Sequence, residues 1–127
     1  MMDMLFIPEN VPSSKNTKQW TGKRLISNKS VTKWKKETSN YWEEYKPLFL
    51  EMIQNKELPL RIGFHFVRKT RHKFDQINPL QTIQDEMVKY GWIEDDNITI
   101  LIPEPLLVDG TYFTYDPDNP GVYIKVL

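Results

Sequence analysis

With 127 residues, 39% of them hydrophobic and 27% charged, and with 17 basic against 17 acidic side chains, the chain has the make-up of one soluble folded domain, expected to span 1–127. It has no cysteine, which excludes disulfides, thiolate metal sites and a cysteine nucleophile and fits a reducing cytoplasm. No stretch approaches the ~20 apolar residues of a membrane span, and Met1–Pro8 lacks the basic segment and apolar run of a signal peptide, so no membrane partner is expected.

Met4-Leu-Phe-Ile7, ended by Pro8, predicts a first strand, and Val11 to Lys18 a polar loop rich in turn formers. Lys23 to Ile26 predicts a short strand or hairpin arm. Ser30 is a candidate N-cap, after which Val31, Trp34, Thr38, Tyr41, Trp42 and Tyr45 recur at three- and four-residue spacing, the pattern of an amphipathic helix with an aromatic face. That face is read as core or dimer interface. Pro47 is expected to interrupt the helix, with Leu48 to Gln54 forming a short second one.

Leu60 to Val67 predicts a central strand running into a basic cluster, Arg68, Lys69, Arg71, His72 and Lys73. Asn78-Pro79 is a helix start, Leu80, Ile83, Met87 and Val88 its buried stripe, and Gly91 its stop. Trp92-Ile-Glu-Asp-Asp96 then leads into a strand over Ile98–Ile102. Thr111–Tyr115 and Val122–Val126 predict a hairpin around Asp116-Pro-Asp-Asn-Pro-Gly. His65, in mid-strand, is read as a structural histidine. For His72, a phosphate or base role and a solvated surface role both stand.

The even charge balance conceals an asymmetry. Residues 1–74 hold 15 basic and 7 acidic side chains, a balance of +8; residues 75–127 hold 2 basic and 10 acidic ones, a balance of −8. Such a division suits nucleic-acid contact by the basic half, and it equally suits two halves that neutralise each other across the fold. Lys15, Lys18, Arg68, Lys69, Arg71 and Lys73 are the candidate phosphate contacts, together with Lys23 and Arg24 of the N-terminal loop.

The acidic half has a possible focus. A helix from Pro79 to Tyr90 rises roughly 18 Å, and an extended Gly91–Asp96 returns roughly 16 Å, so Asp96 can come back to the helix start beside Asp75. Asn78, Gln81 and Asp85 share one helical face. Asp75, Asp85, Asp95 and Asp96 with Asn78 thus have the spacing of a carboxylate cluster, whose repulsion a divalent cation would relieve. Spacing alone leaves open a second reading, in which Asp95-Asp96 is an acidic turn and Asp75 a helix-entry residue.

The run Arg71-His-Lys-Phe-Asp-Gln-Ile-Asn-Pro-Leu-Gln-Thr-Ile-Gln-Asp-Glu-Met, followed by Gly91-Trp-Ile-Glu-Asp-Asp-Asn, resembles the RusA-like Holliday junction resolvases of bacteria and their phages, and Pro12-Ser-Ser-Lys-Asn16 is similar to an N-terminal element of that family. The resemblance covers most of the chain, with its specific part at Arg71–Asn97. It implies an α+β fold, a small mixed sheet with two main helices packed on it, assembled as a homodimer. It implies a Mg²⁺-dependent endodeoxyribonuclease, with Mn²⁺ as substitute, that places paired nicks in branched double-stranded DNA during recombination and repair. Asp75 and Asp96 match the family's metal-binding acids, and Asn78, Asp85 and Asp95 match accompanying motif positions. Two positions depart from the pattern: Ile77 stands where a second Asp is usual, and Gln81 where a Lys is usual. Isoleucine cannot bind a metal and glutamine carries no charge. The departures leave two further expectations open, a DNA-binding module that has lost catalysis and an interaction protein that binds no nucleic acid.

Overall fold

A computed structural model describes residues 4–12, 18–20, 25–27, 29–71 and 77–127. The chain is α+β: β1 (Met4–Pro8), β2 (Lys18–Trp20), β3 (Leu25–Ser27), α1 (Lys29–Ile53), β4 (Leu60–Arg68), α2 (Ile77–Lys89), β5 (Leu101–Pro105), β6 (Phe113–Tyr115) and β7 (Gly121–Val126). β2 and β3 form a two-stranded antiparallel sheet. The other strands make a mixed sheet in the order β1-β7-β4-β5, with β6 also on β4. The expected mixed sheet and two main helices are therefore present.

β4 organises the sheet. One side pairs antiparallel with β7, from Ile62–Val126 to Val67–Gly121. The other side pairs parallel with β5 over Leu60–Phe64 and then, still parallel, with β6 over Phe66–Arg68. The parallel β4–β5 pair requires a crossover, which α2 supplies. Leu5 and Ile7 of β1, Ile62, Phe64 and Phe66 of β4, and Val122 and Ile124 of β7 point to one face. On that face they pack with Trp34, Trp42 and Phe49 of α1 and Leu80, Ile83 and Met87 of α2. Each such side chain withdrawn from water contributes about 1.5–3 kcal/mol before entropy is counted. β4 shows unbroken burial from Ile62 to Val67 because its second face is covered too. There His65 is fully buried, with Nδ1 at 2.9 Å from the Leu106 carbonyl and Nε2 at 3.2 Å from Thr114 Oγ1. A carbonyl can only accept, so Nδ1 carries the proton, and the structural reading of His65 holds.

The register of β1 against β7 depends on one glycine. A Cβ at Gly121 would meet the Ile7 carbonyl oxygen at 2.4 Å and the Phe6 ring at 2.5 Å, so only glycine lets the two strands approach here.

Four expectations need correction. Pro47 does not end the helix: α1 runs through it to Ile53. The amide hydrogen bond lost to proline falls on the exposed side, at Pro47 and Glu43, while buried Phe49 in the next turn holds the helix on the core. α1 begins at Lys29, so Ser30 lies in its first turn rather than ahead of it. The strand predicted over Ile98–Ile102 begins three residues later, at Leu101. The Asn97 carbonyl accepts the amides of Ile100 and Leu101, and its side chain accepts the Thr99 amide, so 97–100 forms a turn with Ile98 exposed. Thr111–Tyr115 and Val122–Val126 do not form a hairpin. β6 and β7 lie on opposite sides of β4, and the Asp116 carboxylate, accepting the amides of Asp118 and Asn119, turns the chain between them.

α1 and α2 are joined by an aromatic cluster and by an ion pair between buried Glu86 and partly exposed Lys35. Thr38 Oγ1 donates to the Trp34 carbonyl and accepts from Trp42 Nε1, and Trp92 Nε1 donates to the Trp42 carbonyl at 2.9 Å. The Trp92 ring meets Trp42 edge-on, with centroids 4.9 Å apart, and stacks on Phe49 at 4.8 Å. Beside this cluster Glu86 is fully buried. Its Oε1 lies 3.8 Å from Lys35 Nζ, and neither oxygen accepts a hydrogen bond among the described residues. Burial pushes the Glu86 pKa above the ordinary carboxylate value, opposed by the charges of Lys35 and Lys89. The fold therefore holds a proton on Glu86 more tightly than the unfolded chain does. Stability is greatest while the group is protonated and is lost as pH rises through the ordinary carboxylate range to the raised folded value. Glu86→Gln, which removes the buried charge, is expected to stabilise the protein at pH 7.5. The difference should fade by pH 4. Urea denaturation at the two pH values checks both statements.

Candidate functional site

α2 and the chain that follows it position the acidic residues. The helix ends in a Schellman motif: Gly91 has φ +77°, Trp92 N–H donates to the Met87 carbonyl at 2.8 Å, and Gly91 N–H to that of Val88 at 3.1 Å. Trp92 and Ile93 are buried at once, so the chain reverses against the helix end, and Glu94–Asn97 emerges from the core as an exposed acidic turn.

Asp95 and Asp96 then face different tasks. The Asp95 carboxylate accepts the Asp96 amide at 2.8 Å and the Asn97 side-chain amide at 2.9 Å. Those bonds, the Asn97 one foremost, hold its pKa below the usual carboxylate value. Asp95 thus closes the turn. Asp96 reaches back to α2, where Gln81 Nε2 donates to Asp96 Oδ2 at 3.1 Å and to Asp85 Oδ1 at 2.8 Å. Both amide hydrogens of Gln81 are engaged. Because one nitrogen lies within these distances of both oxygens, the two carboxylates stand no more than about 6 Å apart.

The structure therefore brings together Asp85 and Asp96 of the expected cluster, with Asp95 next to them in the turn. Asp75, Lys73, His72 and Lys15 lie outside the described residues, as do the side chains of Lys18 and Asn78. Among the described residues no three histidine, aspartate or glutamate side chains gather as a metal site. The oxygens of Asp85 and Asp96 are hard donors at a partly exposed position, and this is the donor chemistry of Mg²⁺, which takes one or two carboxylates and completes its shell with water.

The basic candidates at the end of β4 occupy distinct positions. Arg68 is half-buried, and its Nη1 donates to the Val11 carbonyl at 3.1 Å. Burial lowers its pKa from the ordinary guanidinium value. Lys69 is exposed, and its amide donates to Asn10 Oδ1 at 2.9 Å. Both residues border a hollow of about 660 Å³ between the end of β1, the start of α1 and the end of β4, which Lys33 also lines. Arg71 lies with its guanidinium carbon 4.1 Å from the centre of the Tyr115 ring.

Sequence reasoning placed Gln81 on the face of Asp85 and noted it as a missing lysine, but gave it no hydrogen-bonding role, and it passed over Glu86. The bridging role of Gln81 had a signal in its place one turn before Asp85. Glu86 had one as well, since Thr82 and Glu86 stand four residues apart beside the apolar pair Ile83 and Met87.

No protein-family model and no curated protein matches the chain.

Gln81→Leu removes the shared donor without touching the core. The expected result is faster amide hydrogen exchange over 95–98 and a loss of about 1 kcal/mol or less in global stability, since the bonds are exposed. Hydrogen-exchange mass spectrometry with urea denaturation measures both.

Proposed function

We propose that this chain is a divalent-metal-dependent endodeoxyribonuclease of the RusA type. In this reading it acts as a homodimer on Holliday junctions and other branched double-stranded DNA, in cytoplasmic recombination and repair, and is of phage or prophage origin. The observation that carries the reading is the return of Asp96 to the α2 face that bears Gln81 and Asp85, at the turn where the resemblance puts a metal-binding acid.

Asp96 and Asp75 are the proposed Mg²⁺ ligands. Asp85 lies close enough to Asp96 to share that role and to replace the ligand that Ile77 cannot supply. A bound Mg²⁺ would supply charge neutralisation at the scissile phosphate and an activated water. Gln81 holds Asp85 and Asp96 near each other and so prepays part of the cost of gathering like charges. Asp95, closing the turn, fixes the approach of Asp96. Lys69 and Arg71, with Lys73, Lys15 and Lys18, would contact the flanking phosphates.

A second reading is favoured by Gln81 itself. Its two donors are already engaged by carboxylates, and it carries no charge for a phosphate or leaving oxygen. A chain with this fold and without a lysine here would bind branched DNA and leave it intact.

Purified protein with Mg²⁺ or Mn²⁺ is expected to nick a synthetic four-way junction, and Asp96→Asn to lower the rate by about 100-fold or more. Salt-dependent junction binding without product at any pH between 6 and 9 would select the second reading. Failure to bind DNA even at low salt would leave an interaction protein that binds no nucleic acid.

A further inference from the structure

The two edges of the main sheet differ in their capacity to take another strand. The β5 edge is closed to pairing. The Leu106 amide donates to the Phe64 carbonyl, so even-numbered residues of this segment turn their amides to β4 and odd-numbered ones turn outward. The outward positions include Pro103 and Pro105, which have no N–H to offer. Between β5 and β6 the chain also leaves the sheet as a hairpin over 107–112. In it Val108 and Thr111 exchange backbone hydrogen bonds, and Asp109 and Gly110 take positive φ. At the opposite edge, β1 bonds β7 on one side and, among the described residues, no strand on the other. Proline enters β1 only at its last residue, Pro8.

α1 packs on β1 and meets α2 on its other flank, where Lys35 faces Glu86 and Trp42 faces Trp92. Tyr41, Tyr45, Leu48 and Met52 recur at four-, three- and four-residue spacing. At 3.6 residues per turn they form a stripe roughly a quarter of the way round the helix from the α2 flank, toward the free edge of β1. Tyr41, Tyr45 and Met52 touch the core with only part of their surface, and Leu48 is 48% exposed.

The charges of α1 divide along its length. Residues 29–36 hold Lys29, Lys33, Lys35 and Lys36 and no acid. Residues 37–53 hold Glu37, Glu43, Glu44 and Glu51 against a single lysine. This order opposes the helix macrodipole, which favours acids in the first turn and cations in the last. Among the described residues, Lys35 alone of these side chains forms an ion pair. A helix positive at one end and negative at the other complements its own copy only when the two run antiparallel. A two-fold axis beside the helix imposes that direction, and the same axis, perpendicular to the sheet, sets two β1 edges antiparallel.

We propose that the β1 edge and the α1 stripe above it are the surface on which two copies of this chain pair. β1 meets β1 of the second copy, the two stripes pack together, and the lysine end of each α1 faces the glutamate end of the other. The proposal rests on the homodimer of the reading above and gives it a surface. It makes no use of the carboxylates of α2.

The test is sedimentation equilibrium of the whole chain in EDTA, without DNA. The wild type is expected at twice the monomer mass. Leu48→Lys, at an exposed position, sets like charges in the apolar centre and should weaken the dimer about tenfold or more. Lys29→Glu/Lys33→Glu and Glu44→Lys/Glu51→Lys should each do the same, because like charges then face each other. An equimolar mixture of these two double variants should recover the association of the wild type. Circular dichroism reports whether each variant is folded; should a double variant fail to fold, Lys33→Glu or Glu51→Lys serves in its place. A monomeric wild type overturns the proposal. So does a dimer that survives Leu48→Lys and both charge reversals, or a mixture that recovers no association. Nicking of a four-way junction by the wild type with Mg²⁺ is scored apart, and its absence removes the nuclease reading while leaving the pairing of copies to the sedimentation result.

Discussion

The placement of Trp92 is the constraint on which the rest of the molecule depends. Its indole fills the space between α1 and the end of α2, stacked on Phe49, edge-on to Trp42 and bonded through Nε1 to the Trp42 carbonyl. Deleting an aromatic of this size from a core costs about 3–5 kcal/mol. The local effect is larger than that figure suggests, because Trp92 follows Gly91 directly. With the ring fixed and the Schellman motif closed, the chain can leave the helix end in one direction only, and Glu94–Asn97 emerges where Asp96 reaches Gln81. The acidic turn is thus aimed by an apolar side chain that takes no part in its chemistry.

Electrostatics follows the same division between framework and site. The buried carboxylate, Glu86, stands one residue after the exposed Asp85, and the helical rotation between them separates a structural acid from a candidate ligand. Glu86 faces Lys35 of α1, and among the described residues its oxygens accept no hydrogen bond, so it weakens the fold at neutral pH while tying the two helices in one register. Asp85 faces the turn and shares the Gln81 amide with Asp96. A neutral bridge between two carboxylates holds them together without cancelling their charge, so the arrangement stays attractive to a cation.

Local patterns were legible in the sequence where a single element decides the outcome. The spacing of Val31, Trp34, Thr38 and Trp42 revealed the buried face of α1, Gly91 the helix stop, and the length of Leu60–Val67 the central strand. Long-range pairing was not legible. Thr111–Tyr115 and Val122–Val126 look like hairpin arms, yet β4 has two free sides and takes one segment on each. Side chains that substitute for backbone bonding also escaped notice: Asn97 delays β5 by binding Thr99, and buried Phe49 carries α1 through Pro47. At the site, the helical face joining Gln81 to Asp85 and the return of Asp96 could be worked out from lengths alone. That a glutamine would serve both acids could not, because an amide in sequence gives no sign of which neighbours it will serve.

The excursion between β5 and β6 has a consequence for tolerance to change. The chain leaves the sheet after Leu106 and rejoins it at Phe113 in the same direction and beside the same strand, so the two parallel registers on β4 are fixed independently of what lies between. Residues added at Asp109-Gly110 would lengthen a solvent-facing loop, at an entropic expense that grows only logarithmically with length. Every strand pairing would remain in place. The hairpin is therefore a natural port, a point where an epitope, a fluorophore or an entire inserted domain can be carried without the sheet registering its presence.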